Sequence, residues 1–497
     1  MRTALYTSLC ALALCASPLS LLRAQEPASE DAPPRGLRLA TEAAYEGYTL
    51  LAPIQSTTTY LVDMQGEVVH EWESEHPPGV SVYLLDDGSI LRCGELFDNE
   101  RFRGGGIGGV IQRIGWEGEL VWNYRFSDAT RCQHHDIELL PNGNVLLIAW
   151  EYKSPREAVM RGRHPRELDA DGFWPDAVYE VRPILPDGGE IVWEWHAWDH
   201  LVQELDPNLR GYGKPMNHPG RIDINGEHRH RSEEDAEQRA ELEEEMEALG
   251  YTGGDDEDED EPKAPFPPFA DFMHTNAIDY EPDLDLIVLS SPEFNELWVI
   301  DHSTTSAEAA TESGGRQGQG GKILWRWGNP MQYGYGDNDD RQLYYQHNPT
   351  WLPGPRLLVF NNGGGRPDGS YSSVDELELP FVEGRGFLRA RGRAYPPLQP
   401  VWSYTAPEGE EFFGSFISGA ERLPNGHTLI CEGPTGRVFE VTPEGETVWE
   451  LWNALGGEAI DRPNWDEEKM GPMVHANALF RASRYAPEHP GLARLQP

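Results

Sequence analysis

The sequence predicts an all-β chain folded as a six-bladed β-propeller, on three observations. A two-stranded unit ending in an aromatic residue recurs six times. A second unit, built around a turn, recurs between those copies. The two ends of the chain each carry half of one such unit, so together they complete a four-stranded blade.

The first unit runs from Tyr60 to Trp72 and returns at Val110 to Tyr124, Val178 to Trp195 and Leu297 to Trp327. A degenerate copy ends at Val401-Trp402-Ser403-Tyr404, and the last spans Val438 to Trp449. Each predicts two strands about a tight turn, with period-two alternation in the second strand. The terminal aromatics are expected to pack between blades. The second unit appears as Val80 to Leu91, His135 to Leu147, His274 to Leu289, His347 to Phe360 and Ser418 to Ile430. Its sixth copy opens at His475 and is cut short by the C-terminus, while the matching half stands at Gly47 to Leu51.

Around this core, 1–24 predicts an export signal: Arg2, an apolar stretch from Ala4 to Leu22, and a cleavage site after Ala24. Leu14 before Cys15 speaks against lipidation there. An N-terminal linker (25–44) precedes the propeller (45–485), and 486–497 form a tail. An acidic, partly helical insertion (203–272) separates the third and fourth copies of the outer hairpin. Between Glu233 and Glu261 it carries sixteen acidic residues against Arg239 alone, which predicts a solvated excursion. Gly314 to Gly321 predicts a flexible loop. With 40 basic against 84 acidic residues the net charge is −44, which argues against a nucleic-acid partner. No transmembrane segment is expected after signal removal. Export leaves Cys93, Cys132 and Cys431, for which one disulfide and one free thiol are expected, with the pairing open.

Aligned copies of the second unit place Val80, His135, His274, His347, Ser418 and His475 at one position, the entry to the innermost strand. That position faces the propeller axis. One histidine there would be structural, whereas four in register predict a functional funnel. His134, Asn276 and Asn348 stand beside them and could orient the rings. Asn361-Asn362-Gly363-Gly364-Gly365-Arg366 follows the His347 strand. Its glycines allow close approach to a ligand, and Arg366 offers a planar donor fork to a tetrahedral oxyanion. Arg103 to Gly109 is Gly-rich but lacks the strand–loop–helix context of a nucleotide site.

These residues carry a resemblance to the bacterial arylsulfotransferases. It rests on His134-His135-Asp136-Ile137-Glu138 with Leu140-Pro141-Asn142-Gly143, and on Phe272 to Ile278 followed by Glu296 to Asp301. Gln346-His347 with Asn361-Asn362-Gly363-Gly364, and Ser418 to Gly433 with Arg437 to Val441, add to it. The resemblance spans about Tyr45 to Tyr485, outside the acidic insertion. It implies transfer of a sulfuryl group from a phenolic sulfate ester to a phenol, through a sulfated histidine and without a nucleotide sulfate donor or other cofactor. It further implies a nucleophile among His347, His274, His135 and His475, with Arg366 on the sulfuryl oxygens. His134, Asn276, Asn348, Asn361 and Ser418 would line the substrate site. Ser418 departs from the histidine pattern. Two other readings stay open: a metal-dependent enzyme with a four-histidine axial site, and a secreted ligand-binding propeller without turnover.

Overall fold

Six antiparallel sheets, five of four strands and one of five, stand in a ring in the computed structural model of the chain. The structure describes residues 34–169, 171–226, 270–407, 409–457, 460 and 475–495. The export segment and the acidic run from Asp255 to Glu261 lie outside the described residues. Blades I to V open on inner strands Pro78–Leu84, Arg131–Leu139, Ala277–Glu281, His347–Leu352 and Gly419–Arg422. Blade VI takes its inner strand, Leu479–Tyr485, from the end of the chain and pairs it with Tyr48–Pro53 from the beginning. The closure is therefore the one expected. Consecutive inner strands contact one another around the whole ring, enclosing the axis.

The stretch read as a linker adds a strand of its own. Gly36–Ala40 pairs with Thr447–Trp452 and gives blade V a fifth, outermost strand. Of the insertion, 203–226 runs over the surface and forms a short parallel pair, Leu201–Val202 with Ile222–Asp223. Among the described residues no helix is long and apolar enough to cross a membrane.

Alternation puts apolar side chains on both faces of each sheet, because each sheet is covered by a neighbour on either side. The hydrophobic clusters accordingly sit in the seams. Indole N–H groups then fix one blade to the next. Trp122 donates to the Gly188 carbonyl at 2.8 Å, Trp195 to Gly321 at 2.7 Å and Trp325 to Pro396 at 2.8 Å. Trp402 donates to Pro443 and Trp449 to Met64, both at 2.9 Å. The aromatics at the strand ends thus hold the blades together, as their recurrence suggested. Gly314 to Gly321 differs from its expectation as a flexible loop. Its backbone bonds internally through Gly318 to Gly315 and Gly320 to Gly314, and it presents the acceptor for Trp195.

The seam between blades VI and I is built differently. His70 stacks on Trp116 at 3.8 Å and its Nε2 donates to the Trp116 carbonyl at 2.9 Å, the turn position that Met64 occupies in the preceding seam. Trp72, displaced from that role, keeps a buried indole nitrogen with no partner. The expected disulfide is absent. Cys93, Cys132 and Cys431 are free thiols, buried on strands of blades I, II and V.

The two tryptophans make a controlled comparison. Trp122→Phe and Trp72→Phe remove the same atoms from buried seams, but only the first breaks a hydrogen bond. Chemical denaturation is expected to show Trp122→Phe less stable than Trp72→Phe by about 1 kcal/mol.

Candidate active site

The entries to the inner strands share an unusual backbone. Val80, His135, His274 and Ser418 have φ of 78°, 52°, 49° and 83°. Left-handed backbone costs roughly 1 kcal/mol outside glycine. Its recurrence in four blades shows that the sharp entry onto the axial strand requires it. In blade IV the left-handed residue is Asn348 (φ 49°), one position beyond His347.

Three of the four predicted histidines come together on the axis. The His135 and His274 rings meet edge to face, 4.5 Å between centroids. Phe480 lies 6.2 Å from His135 and 6.2 Å from His347. His475 does not join them. It is exposed, and its Nδ1 takes the Asn477 N–H and lies 3.4 Å from Arg35. The closing strand starts four residues later, at Leu479, so the axis receives Phe480 from that blade instead.

Each axial imidazole is held in a defined state. Asn362 Nδ2 donates to the carbonyls of Gly414 and Ile417, which leaves its Oδ1 as acceptor. His347 Nδ1–H therefore donates to Asn362 Oδ1 at 2.8 Å and to the Tyr345 carbonyl at 3.0 Å. The lone pair of His347 sits on Nε2. Burial, only partly offset by Asn362, pushes this imidazole down to about 3, with the His274 charge adding to the effect. His347 is neutral at all ordinary pH values.

His274 is set the opposite way. Its Nδ1 bonds Asp271 Oδ2 at 2.5 Å, and Asp271 Oδ1 is fixed by the Trp150 indole at 2.9 Å. Burial opposes its charge, but the Asp271 carboxylate outweighs burial and raises the imidazole above its usual value. His135 is pressed well below that value by burial and by the neighbouring His274, His134, His347 and Arg481.

His134 stacks on Trp150 at 4.1 Å, with Nε2 3.3 Å from Asp176 Oδ1. That is ion-pair distance without hydrogen-bond geometry, since both atoms lack a formed bond. The carboxylate nevertheless selects Nε2–H on His134. Its Nδ1, 2.9 Å from His135 Nδ1, then accepts, and His135 carries its lone pair on a buried, unpartnered Nε2. Gly106 explains the Gly-rich stretch before it. Its carbonyl accepts the His135 N–H at 2.7 Å, and a Cβ there would meet the His135 ring at 2.2 Å.

The remaining predicted residues divide. Asn276 donates from Nδ2 to the Gln346 carbonyl at 2.9 Å and leaves its buried Oδ1 unpartnered, as Gln346 leaves its Oε1. Asn348 pins blade V by accepting the Ala420 N–H at 3.1 Å. Asn361 holds Tyr344, Gln342 and Asp375. Strand alternation gives the contact with His347 to Asn362, not to Asn361. Ser418 is fully buried and bonds the Phe416 carbonyl and the Gly433 N–H, so it shapes its own bend. Arg366 ties up its own loop through the Tyr371 carbonyl and Ser373 Oγ. Gly363 serves that loop as well, since a Cβ there would meet the Tyr371 carbonyl at 1.7 Å.

The cation whose field reaches the histidines is Arg481, next to Phe480 on the closing strand. It pairs with Asp136 at 2.6 Å, and its Nη1 donates to the Tyr83 hydroxyl at 3.0 Å. Opposite the imidazoles, Phe480 joins Ile54, Val80, Phe416, Ile417 and Ala478 in an apolar cluster. The axis is thus imidazole-lined from blades II to IV and apolar from blades V, VI and I.

The chain belongs to the arylsulfotransferase (ASST) family, whose sequence profile matches residues 38–455. The family assigns it arylsulfotransferase-like sulfuryl transfer. Comparison with curated proteins returns no match. Among solved structures, a protein of unknown function from Bacteroides caccae is 13% identical, with 88% of this chain and 98% of that one covered and a TM-score of 0.40. Virginiamycin B lyase from Staphylococcus aureus is 10% identical, with 86% of each chain covered and a TM-score of 0.34.

Gly106→Ala tests the contact on His135. The substitution is expected to shift the His135 ring signals in NMR spectra and to lower activity at least about tenfold, while left-handed strain costs roughly 1 kcal/mol of stability.

Proposed function

We propose that the protein transfers a sulfuryl group from a phenolic sulfate ester to a phenolic acceptor, with His347 as nucleophile and His274 as acid and base. The observation that carries this reading is the opposed setting of the two imidazoles: His347 is neutral with its lone pair on Nε2, and His274 is biased toward its charged form by Asp271. Environments that push two titrating groups apart divide acid from nucleophile.

In the first half-reaction His347 Nε2 forms a bond to sulfur while the bond from sulfur to the phenolic oxygen breaks. The departing oxygen takes the proton from His274, which becomes neutral. His347 keeps its Nδ1–H on Asn362 and Tyr345, so the positive charge that grows on the sulfated ring is met by two acceptors. In the second half-reaction His274 removes the acceptor phenol's proton, the phenolic oxygen attacks sulfur, and the bond to Nε2 breaks. Ping-pong kinetics follow. Phe480 and the apolar cluster give the aryl ring a face to lie on, and Arg481 contributes positive potential toward the sulfuryl oxygens. The N-terminal segment supports an exported protein.

A chromogenic aryl sulfate, offered with and without a phenol, tests the reading. Release of the chromophore is expected to depend on the acceptor, to persist in chelator, and to fall by at least about a thousandfold in His347→Ala. Release that ignores the acceptor or survives that substitution overturns it. The pH dependence gives a second check. The kcat/KM for donor needs His274 protonated, so it is expected to fall as pH rises through the raised His274 value. Asp271→Asn removes the raising charge and is expected to move that fall to lower pH.

A further inference from the structure

Arg92 lies on the second strand of blade I, Ile90–Glu95, on the face turned to blade VI. Ile90, two residues earlier and so on the same face, packs with Leu50, Leu61 and Trp72 of that blade. Arg92 is 1% exposed. Its Nη2 donates to the His76 carbonyl at 3.0 Å, while Nε and Nη1 are buried and meet no acceptor. Burial lowers the guanidinium to about 10, so it keeps its charge at neutral pH. The one ionisable neighbour that could balance it, Cys93, is pushed up to about 12 by burial and stays a neutral thiol.

Other buried arginines of the ring are matched. Arg326 pairs with Glu296, Arg484 with Glu440 at 2.9 Å and Arg481 with Asp136 at 2.6 Å. Arg161, which lacks a carboxylate, gives its terminal nitrogens to the carbonyls of Arg210, Trp198 and Leu201. Among these buried arginines Arg92 thus has neither a carboxylate nor carbonyls enough for its nitrogens. An uncompensated buried charge is strongly destabilising. The unmet atoms are donors only. The nearest amide on the paired strand, Gln112, is already engaged, accepting from Ser74 and donating to Asn123. An anion would bring acceptance and charge together.

We propose that Arg92 holds a small inorganic anion of halide size in the seam between blades VI and I, bound at Nε and Nη1 as the missing counter-charge. His76, whose imidazole burial and then Arg92 keep below its usual value, borders the same place through its carbonyl. The anion then does for this seam what carboxylates do for the others.

The full chain is melted at constant ionic strength while gluconate is replaced by chloride. A saturable rise in Tm of about 1–3 °C is expected, and Arg92→Met, which fills the space without charge, is expected to show none. Crystals soaked in bromide are expected to show an anomalous peak in contact with Nε and Nη1. Equal melting in the two salts, or an anomalous map empty at Arg92, overturns the proposal. If Arg92→Met does not fold, the titration and the map of the unsubstituted protein decide.

Discussion

Everything on the axis depends on the closing of the ring. An open row of sheets would leave two edges exposed, and the pairing of Leu479–Tyr485 with Tyr48–Pro53 removes both. That last strand also supplies Phe480 and Arg481 to the histidine cluster. The Arg481–Asp136 pair, with Tyr83 between them, joins blades VI, I and II around the axis. The geometry of His135 is therefore set by residues more than three hundred positions away in the chain. The site and the fold are completed by the same event.

Within the ring, chemistry is separated by blade. Imidazoles enter from three consecutive blades, and apolar side chains enter from the other three. Several buried hydrogen-bonding atoms of blades II to IV go unpaired, among them His135 Nε2, Thr275 Oγ1, Asn276 Oδ1 and Gln346 Oε1. Such atoms are costly in a finished core, and a ligand on the axis would complete them. Strain points to the same place. The left-handed residues at the strand entries trade backbone energy for the aim of a side chain.

The repeat was legible because it is written in strong local signals: turn glycines, period-two alternation, and a tryptophan at each outer strand. Register counted from those turns brought His135 and His274 to the axis correctly. It failed for His475, because the segment before the closing strand has no hairpin turn to count from. Arg366 was drawn to His347 by nearness in sequence, yet its loop folds back on Tyr371 and Ser373. Asp271, three residues before His274, was within reach of inspection as a carboxylate beside an imidazole. Arg481 and Asn362 were not, since their roles depend on which side of a strand faces the axis. The disulfide expectation came from compartment alone, and burial on three different blades overrode it.

Those three thiols have a consequence for how the protein lives. Burial lifts Cys93 and Cys132 to about 12 and Cys431 higher still, so thiolate, the form that attacks disulfides and metals, is scarce in all of them. Among the described residues no crosslink has to form for the ring to close, and no cysteine sulfur is exposed to form a wrong one. The described ring has no disulfide for a reducing medium to break. It can mature without an oxidising catalyst and stay folded in a reducing medium, its integrity resting on seams and strand pairing alone.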